Sequence, residues 1–420
     1  MTPFQAWTGN RTVKTLGTNA GTPELSFQSW KRFKEAFAPE VIERAVRETP
    51  GKVEYCLDPF AGSGTTGLAC QFLGIDPFLY EINPYLCDLI KAKLSSYKNS
   101  VLKSSLDKVL DEKTKLSAAE VRAYFKYAPK TFLPNSEVDS YVFPMDVAKE
   151  LVSLNLSINN LRPGLRAFFR AILGSVCVDV SNVTISGKGR RYRRNWRERQ
   201  LDASEVGEIY QAAVLTAISD VDHLGDLKHG RFKLFRGSCV TSMTTLPYID
   251  LCVFSPPYPN SFDYTDVYNV ELWTLGYLRS KHQSDRLRRS TFPSHVQLKR
   301  TYEPAPNGSR LLAEALMSLQ EKRDILWHRD IPAMVGSYFA QMDSLLREVA
   351  RHLRKRGRVY MIVGNSQYSG VIIETGKIIY ELSRNLPLDL QYVESCRSMR
   401  TSPQQGGNPS LAENLLVFSK

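Results

Sequence analysis

Three observations predict an α/β fold with a mostly parallel, seven-stranded sheet for this 420-residue chain. First, apolar strand-like runs at 52–60 and 76–82 flank a Gly-rich turn and an apolar helical pattern from Thr65 to Leu73. Strand, turn, helix, strand at that spacing is the signature of a right-handed βαβ unit, and such units build parallel sheets. Second, strand patterns resume at 232–255, and the region from 331 to the end alternates helix and strand again. Third, residues 99–229 carry helical stretches without that alternation, which marks a large, mainly helical insertion.

Residues 1–25 are rich in Thr, Gly, Asn and Pro and read as an irregular arm, without the apolar core or cleavage site of a signal peptide. Ser26 to Thr49 reads as a helix, with Ile42, Ala45 and Val46 at helical spacing after Pro39. "KVEYCLDPF" (52–60) and "DPFLYEI" (76–82) are the first two strands, and Pro84 opens a helix that ends near Lys98. The insertion contains a helix over Leu165–Val178 and the most basic run of the chain, "SGKGRRYRRNWRERQ" (186–200). "FKLFRGS" (232–238) and "YIDLCVFS" (248–255) are the next strands. The second must stop at Pro256-Pro257, because two prolines remove two ladder donors and fix two φ angles. A basic excursion covers 279–330. A helix from Gly336 to Leu353, the strand "RVYMIVGN" (358–365), a helix near Glu374–Arg384 and the strands "LDLQYVE" (388–394) and "ENLLVFSK" (413–420) complete the chain. The sheet-bearing segments are thus 26–98, 230–278 and 331–420.

Apolar content of 43% and charged content of 23% are ordinary for a soluble globular protein. The net charge of +12 suits a polyanionic partner. No stretch approaches the roughly 18 apolar residues of a membrane span. The seven cysteines are scattered, odd in number and lack a Cys-x-x-Cys, and the six histidines are isolated. That pattern predicts a reducing cytoplasm, no disulfide and no metal site.

"DPFAGSGTTG" (58–67) places Gly62-x-Gly64-x-x-Gly67 between a strand and a helix. Glycines there let a ligand approach the backbone and expose a helix N-terminus. A nucleoside triphosphate is excluded, since Leu68 stands where the phosphate-binding lysine belongs. A dinucleotide fits the spacing, with Glu81 placed for a ribose. However, Asp58 would repel a diphosphate and suits instead a nucleoside that carries a cation.

The turn "DPFAGSGTT" together with "SPPY" (255–258) resembles the amino-group DNA methyltransferases, which use S-adenosylmethionine to methylate exocyclic nitrogens of cytosine or adenine. The resemblance implies a Rossmann-like class I methyltransferase fold. It implies that Asp58, Pro59, Phe60, Ala61, Gly62, Gly64, Thr65 and Thr66 wrap the cofactor. "EINP" (81–84) resembles the family's second-strand acid, with Glu81 on the ribose hydroxyls beside Ile82 and Asn83. "SFQSWKRFKEAFAPEVI" (26–42) resembles the element that holds the cofactor's methionine end, which includes Phe37. The acid that often follows the third strand is absent. That turn reads Gly237-Ser238-Cys239, with Ser238 as an acceptor, and the residue that reads the cofactor's adenine stays open. Placing the insertion between the second and third strands also departs from the family's usual motif orders.

By the same resemblance Ser255, Pro256, Pro257 and Tyr258 hold the target base. The chemistry needs such a corner. An aryl amine is a poor nucleophile, and hydrogen bonds from its N–H groups to the Ser255 hydroxyl and the Pro256 carbonyl favour a more tetrahedral nitrogen. The prolines make the corner rigid, as positioning requires. Tyr258 offers a stacking face for an extruded base, with Phe262 and Tyr264 as an opposite wall or as plain loop anchors. Methylation of cytosine C5 is disfavoured, because it needs a Pro-Cys nucleophile and the chain has none. Ser as the first letter of the tetrapeptide favours cytosine N4; adenine N6 is the alternative, and an RNA amino-methyltransferase or an inactive nucleic-acid-binding module are further ones.

Double-stranded DNA is the implied partner, with a cognate restriction endonuclease as a second. Lys188, Arg190, Arg191, Arg193 and Arg194, interleaved with Tyr192 and Trp196, are candidate phosphate and base contacts. Arg288 and Arg289 are candidates beside the target base. Target recognition is expected in 99–229, with help from 279–330. The charges of "RHLRKRGR" (351–358) read as structural, complementing a helix end.

Overall fold

A computed structural model describes residues 1–19, 21–186, 189–199, 201–243, 246–400 and 410–420. Its centre is a seven-stranded sheet: β1 (Tyr55–Asp58), β2 (Asp76–Glu81), β3 (Lys233–Arg236), β4 (Ile249–Phe254), β5 (Leu353–Gly364), β6 (Asp389–Arg400) and β7 (Ser410–Ser419). The spatial order is β3-β2-β1-β4-β5-β7-β6. Neighbours from β3 to β5 pair in parallel, and β7 runs antiparallel between β5 and β6. The chain builds outward from β1 on one side and from β4 on the other. Strand order therefore reverses between them, which is where such sheets bind ligands beyond the strands' carboxyl ends.

Parallel strands covered on both faces must be apolar throughout, and all six residues of β4 are buried. Alternate side chains go to opposite faces. Leu251 and Val253 join one core with Leu68, Tyr85 and Phe168, whereas Cys252 and Phe254 join the other with Phe339, Leu346 and Ile379. Cys252 is thus a core residue.

Helices Met145–Asn159, Pro163–Cys177 and Ala203–Leu224 of the insertion extend the first of these cores. Their contact with α1 (Pro84–Leu94) is close: a Cβ at Gly174 would lie 2.2 Å from the Tyr85 ring. The insertion also contains a two-stranded hairpin, Val183–Ser186 with Gly189–Tyr192, which the sequence pattern did not indicate.

Three expectations are corrected. Residues 1–25 are not simply an irregular arm, because Pro3–Thr8 is a helix closed by a Thr2–Gln5 capping box. Trp7 stacks on Phe72 at 4.7 Å and donates from its indole nitrogen to the Ser26 carbonyl at 2.9 Å. The helix expected over 26–49 forms only at Glu40–Glu48. Before it, the Phe27 backbone N–H and the Trp30 indole N–H both donate to Asp220 of the insertion, at 2.7 and 2.8 Å, and Phe27 takes a φ of +65°. Those long-range bonds replace the helical ladder.

β5 also starts earlier than expected, directly after the helix Ile331–His352. Arg354 donates to Asp250 Oδ1 at 2.8 Å, and Asp250 Oδ2 accepts from the N–H groups of Glu54 and Tyr55. This basic run is tied partly into the fold.

Candidate active site

A cavity of about 440 Å³ opens at the carboxyl ends of β1, β2, β3 and β4, within the usual size of a small-molecule site. Residues contributed by the four strand ends share it: Asp58, Glu81, Ser238 and Ser255.

The β1 turn is held by its own acid. Asp58 is 2% exposed; its Oδ1 accepts from the Phe60 N–H at 2.9 Å and its Oδ2 from the Thr66 hydroxyl at 2.6 Å. Gly64 has φ +84° and caps the helix Thr65–Phe72, a conformation that favours glycine. Gly62 has φ +53°, and a Cβ there would lie 2.9 Å from the Phe33 ring across the cavity. From behind, buried Lys93 donates to the Ser63 carbonyl at 3.0 Å and to Gln28 Oε1 at 2.9 Å, and Gln28 donates to the Thr65 hydroxyl at 3.1 Å.

Glu81 reaches back to the same turn. Its Oε2 accepts from the Gly62 N–H at 2.9 Å and its Oε1 from the Asn83 N–H at 2.7 Å. Asn83 caps α1, accepting from the Tyr85 N–H at 3.0 Å. Burial pushes the carboxyls of both Asp58 and Glu81 up to about 7, with these hydrogen bonds pulling the other way. Phe37, Pro59, Phe60, Ala61, Thr65, Thr66, Ile82 and Ser238 also line the cavity. Gly64 supports the turn from beneath, against Ile90.

β4 ends at Phe254, and Ser255 to Tyr258 follow without strand or helix. The Ser255 and Tyr258 hydroxyl oxygens are 3.3 Å apart, and the Tyr258 hydroxyl donates to Glu413 Oε1 at 2.8 Å. Tyr264 accepts from the Tyr258 N–H at 3.5 Å, and its ring meets Phe262 edge-on at 4.4 Å. Phe262 and Tyr264 therefore form a wall beside the proline corner and anchor the loop as well.

The candidate DNA contacts separate into free and engaged groups. Arg191, Arg194 and Arg289 are exposed. Arg193 instead donates to the carbonyls of Ser181 and Val178, both at 3.1 Å, and Arg190 donates to the Thr131 hydroxyl at 3.0 Å over the Phe132 ring. Trp196 is buried against Tyr141 and Tyr192 and presents no free stacking face. Arg288 forms a 2.7 Å bond with Asp263, the cap of the short helix that follows the proline corner. Lys188 lies outside the described residues.

Several lining residues were not picked out from sequence: Phe33, Tyr268, Thr265, Arg397 and Glu413. Phe33 lies inside the segment read as holding the cofactor. Glu413, an acid opening an otherwise apolar strand, was the most legible of the others. Among the described residues no helix is long and apolar enough to cross a membrane, and no group of His, Cys, Asp and Glu is arranged to hold a metal ion.

Sheet order, Gly-rich turn and the acid ending β2 define a class I methyltransferase with S-adenosylmethionine as methyl donor. Residues 3–92 match the N6/N4 methyltransferase family model, described as DNA methylase. The chain is 22% identical to the type II methyltransferase M.BsoBI of Geobacillus stearothermophilus, covering 94% of this chain and 86% of that one. It is likewise 22% identical to the type II methyltransferase M.AvaI of Nostoc sp., covering 91% and 83%. A shorter match, 28% identical over 123 residues, is to the type II methyltransferase M.MjaII of Methanocaldococcus jannaschii, covering 26% of this chain and 23% of that one. Its N-terminal part thus matches the amino-group DNA methyltransferase family model, and most of its length is similar to type II methyltransferases.

The cavity suits that donor. Its glycine turn leaves space that a Cβ would narrow, and its two buried carboxylates match a ligand bearing hydroxyl donors and a positive sulfur. When bound, S-adenosylmethionine supplies an electrophilic methyl group on a sulfonium.

Proposed function

We propose that this protein is a site-specific DNA methyltransferase that modifies the exocyclic N4 of cytosine in a base turned out of the duplex. The observation that carries this reading is the Ser255-Pro256-Pro257-Tyr258 corner, which opens into the same cavity as Asp58 and Glu81. In this reading the cofactor is held by Glu81 on its ribose hydroxyls and by the turn from Asp58 to Thr66. Phe37, Ile82, Asn83 and Ser238 complete its enclosure. Ser255 and the Pro256 carbonyl accept the amine's hydrogens, and Pro256-Pro257 hold those acceptors still. Tyr258, Phe262 and Tyr264 enclose the base.

Residues 99–229 serve target recognition, assisted by 279–330, with Arg191, Arg194 and Arg289 on phosphates. Arg190, Arg193 and Arg288 shape the surfaces that carry them. The type II designation of the relatives supports a restriction endonuclease of the same specificity as a companion.

The test is to incubate protein and labelled S-adenosylmethionine with unmethylated DNA and, in a parallel reaction, with RNA, digest to nucleosides and identify the product by mass. N4-methylcytosine is expected. N6-methyladenine would overturn the base assignment, and label on RNA alone would overturn the substrate.

A further inference from the structure

We infer that Glu413 is a positioning residue for methyl transfer, acting through Tyr258 to fix the direction in which the Ser255 hydroxyl points. The inference rests on the reading of Ser255 as an acceptor for the target amine.

Glu413 lies on β7, paired with Gly364 of β5 on one side and with Arg397 of β6 on the other. Its side chain is 2% exposed. Arg397 donates to Oε2 at 2.7 Å and to Oε1 at 3.1 Å, and the Tyr258 hydroxyl donates to Oε1 at 2.8 Å. A buried carboxylate needs such partners, since an uncompensated charge away from water is costly. An arginine pair alone would satisfy it without any link to the proline corner. Here the link exists, and it runs through a tyrosine that burial and the Glu413 charge keep in its protonated, donating form.

The direction of the chain follows from the donor inventory. Paired with Arg397, the Glu413 carboxylate only accepts. The one Tyr258 hydroxyl hydrogen is thereby committed to Glu413. The Tyr258 oxygen then faces Ser255 Oγ, 3.3 Å away, with lone pairs only. The serine hydrogen turns toward Tyr258, and the serine lone pairs are left for the cavity. An exocyclic amine presents N–H donors, so this polarity attracts it, whereas a serine hydrogen aimed into the cavity would oppose it. No other acidic side chain among the described residues is bonded to the proline corner.

The experiment is a double-mutant cycle on the full chain with Tyr258→Phe, Glu413→Gln and both together. Single-turnover methyl transfer is followed with labelled S-adenosylmethionine and genomic DNA from a host without DNA methylation; cofactor affinity is measured by calorimetry and folding by melting temperature. Each single variant is expected to slow transfer about tenfold, with the double no slower than the slower single and cofactor affinity within about twofold of the parent. Effects that multiply to about a hundredfold in the double would overturn the inference, because independent roles add in free energy. So would a Glu413→Gln variant that loses cofactor affinity or melting temperature while its rate at saturation is unchanged. Ser255→Ala in the same assay separates the two levels. Full activity there would remove the reading of the proline corner altogether, while a slow Ser255→Ala beside a full-rate Glu413→Gln would remove only the role of Glu413.

Discussion

At the scale of single residues, the site depends on two acids kept out of water. Burial pushes Asp58 and Glu81 up to about 7, against ordinary values near 4 for such carboxyls. Between about pH 4 and 7 the folded chain therefore holds more protons than the unfolded chain, so these two groups make stability fall as pH rises through that window and level off above it. Cofactor binding should run in the opposite direction. Hydroxyl donors and a positive sulfur prefer ionised acceptors, so S-adenosylmethionine affinity is expected to strengthen from about pH 6 to pH 8 and then level. Calorimetric titration across that range checks it, and the dependence should shrink in Glu81→Gln. A flat profile in the parent would mean that Glu81 does not meet the cofactor.

Elements show how far local pattern reaches. The Gly-rich turn was legible because its requirement is local: Gly62 and Gly64 take positive φ, which glycine adopts without strain. The end of β4 was legible for the same reason, since proline cannot continue a ladder. The N-terminal helix was not. Its six residues, Pro3–Thr8, are too few to be stable alone, and what holds them is Trp7 stacked on Phe72 and bonded to Ser26. Trp7→Ala should therefore cost about 3 kcal/mol, as a large buried aromatic does, read as a lower urea midpoint with unchanged slope. Loss of under about 0.5 kcal/mol, the range of exposed surface positions, would show that the helix is a loose appendage.

Across the whole molecule, the net charge of +12 is not spread evenly in its availability. Within the basic run of the insertion, Arg191 and Arg194 reach solvent while Arg193 is bonded to backbone carbonyls. Replacing Arg191 or Arg194 by Ala should lower the slope of log affinity against log salt by about 1 each, the value for one phosphate left unneutralised. Arg193→Ala should instead lower melting temperature. DNA binding measured by fluorescence anisotropy at several salt concentrations checks this. Equal slopes in all three variants would take the DNA path away from the hairpin.

The parallel sheet, the Gly-rich turn and the proline corner were legible in the sequence, because neighbouring residues enforce each of them: glycine where φ is positive, proline where a strand stops, a continuous apolar run where a strand is covered on both faces. Which charges are free, and that Glu413 joins Asp58 and Glu81 at the cavity, follow from long-range packing instead. Arg288 meets Asp263 across 25 residues, and Glu413 meets Tyr258 across 155. Those partnerships depend on β7 entering antiparallel between β5 and β6 and on the burial that makes an unpaired charge costly. No window of local sequence contains either condition.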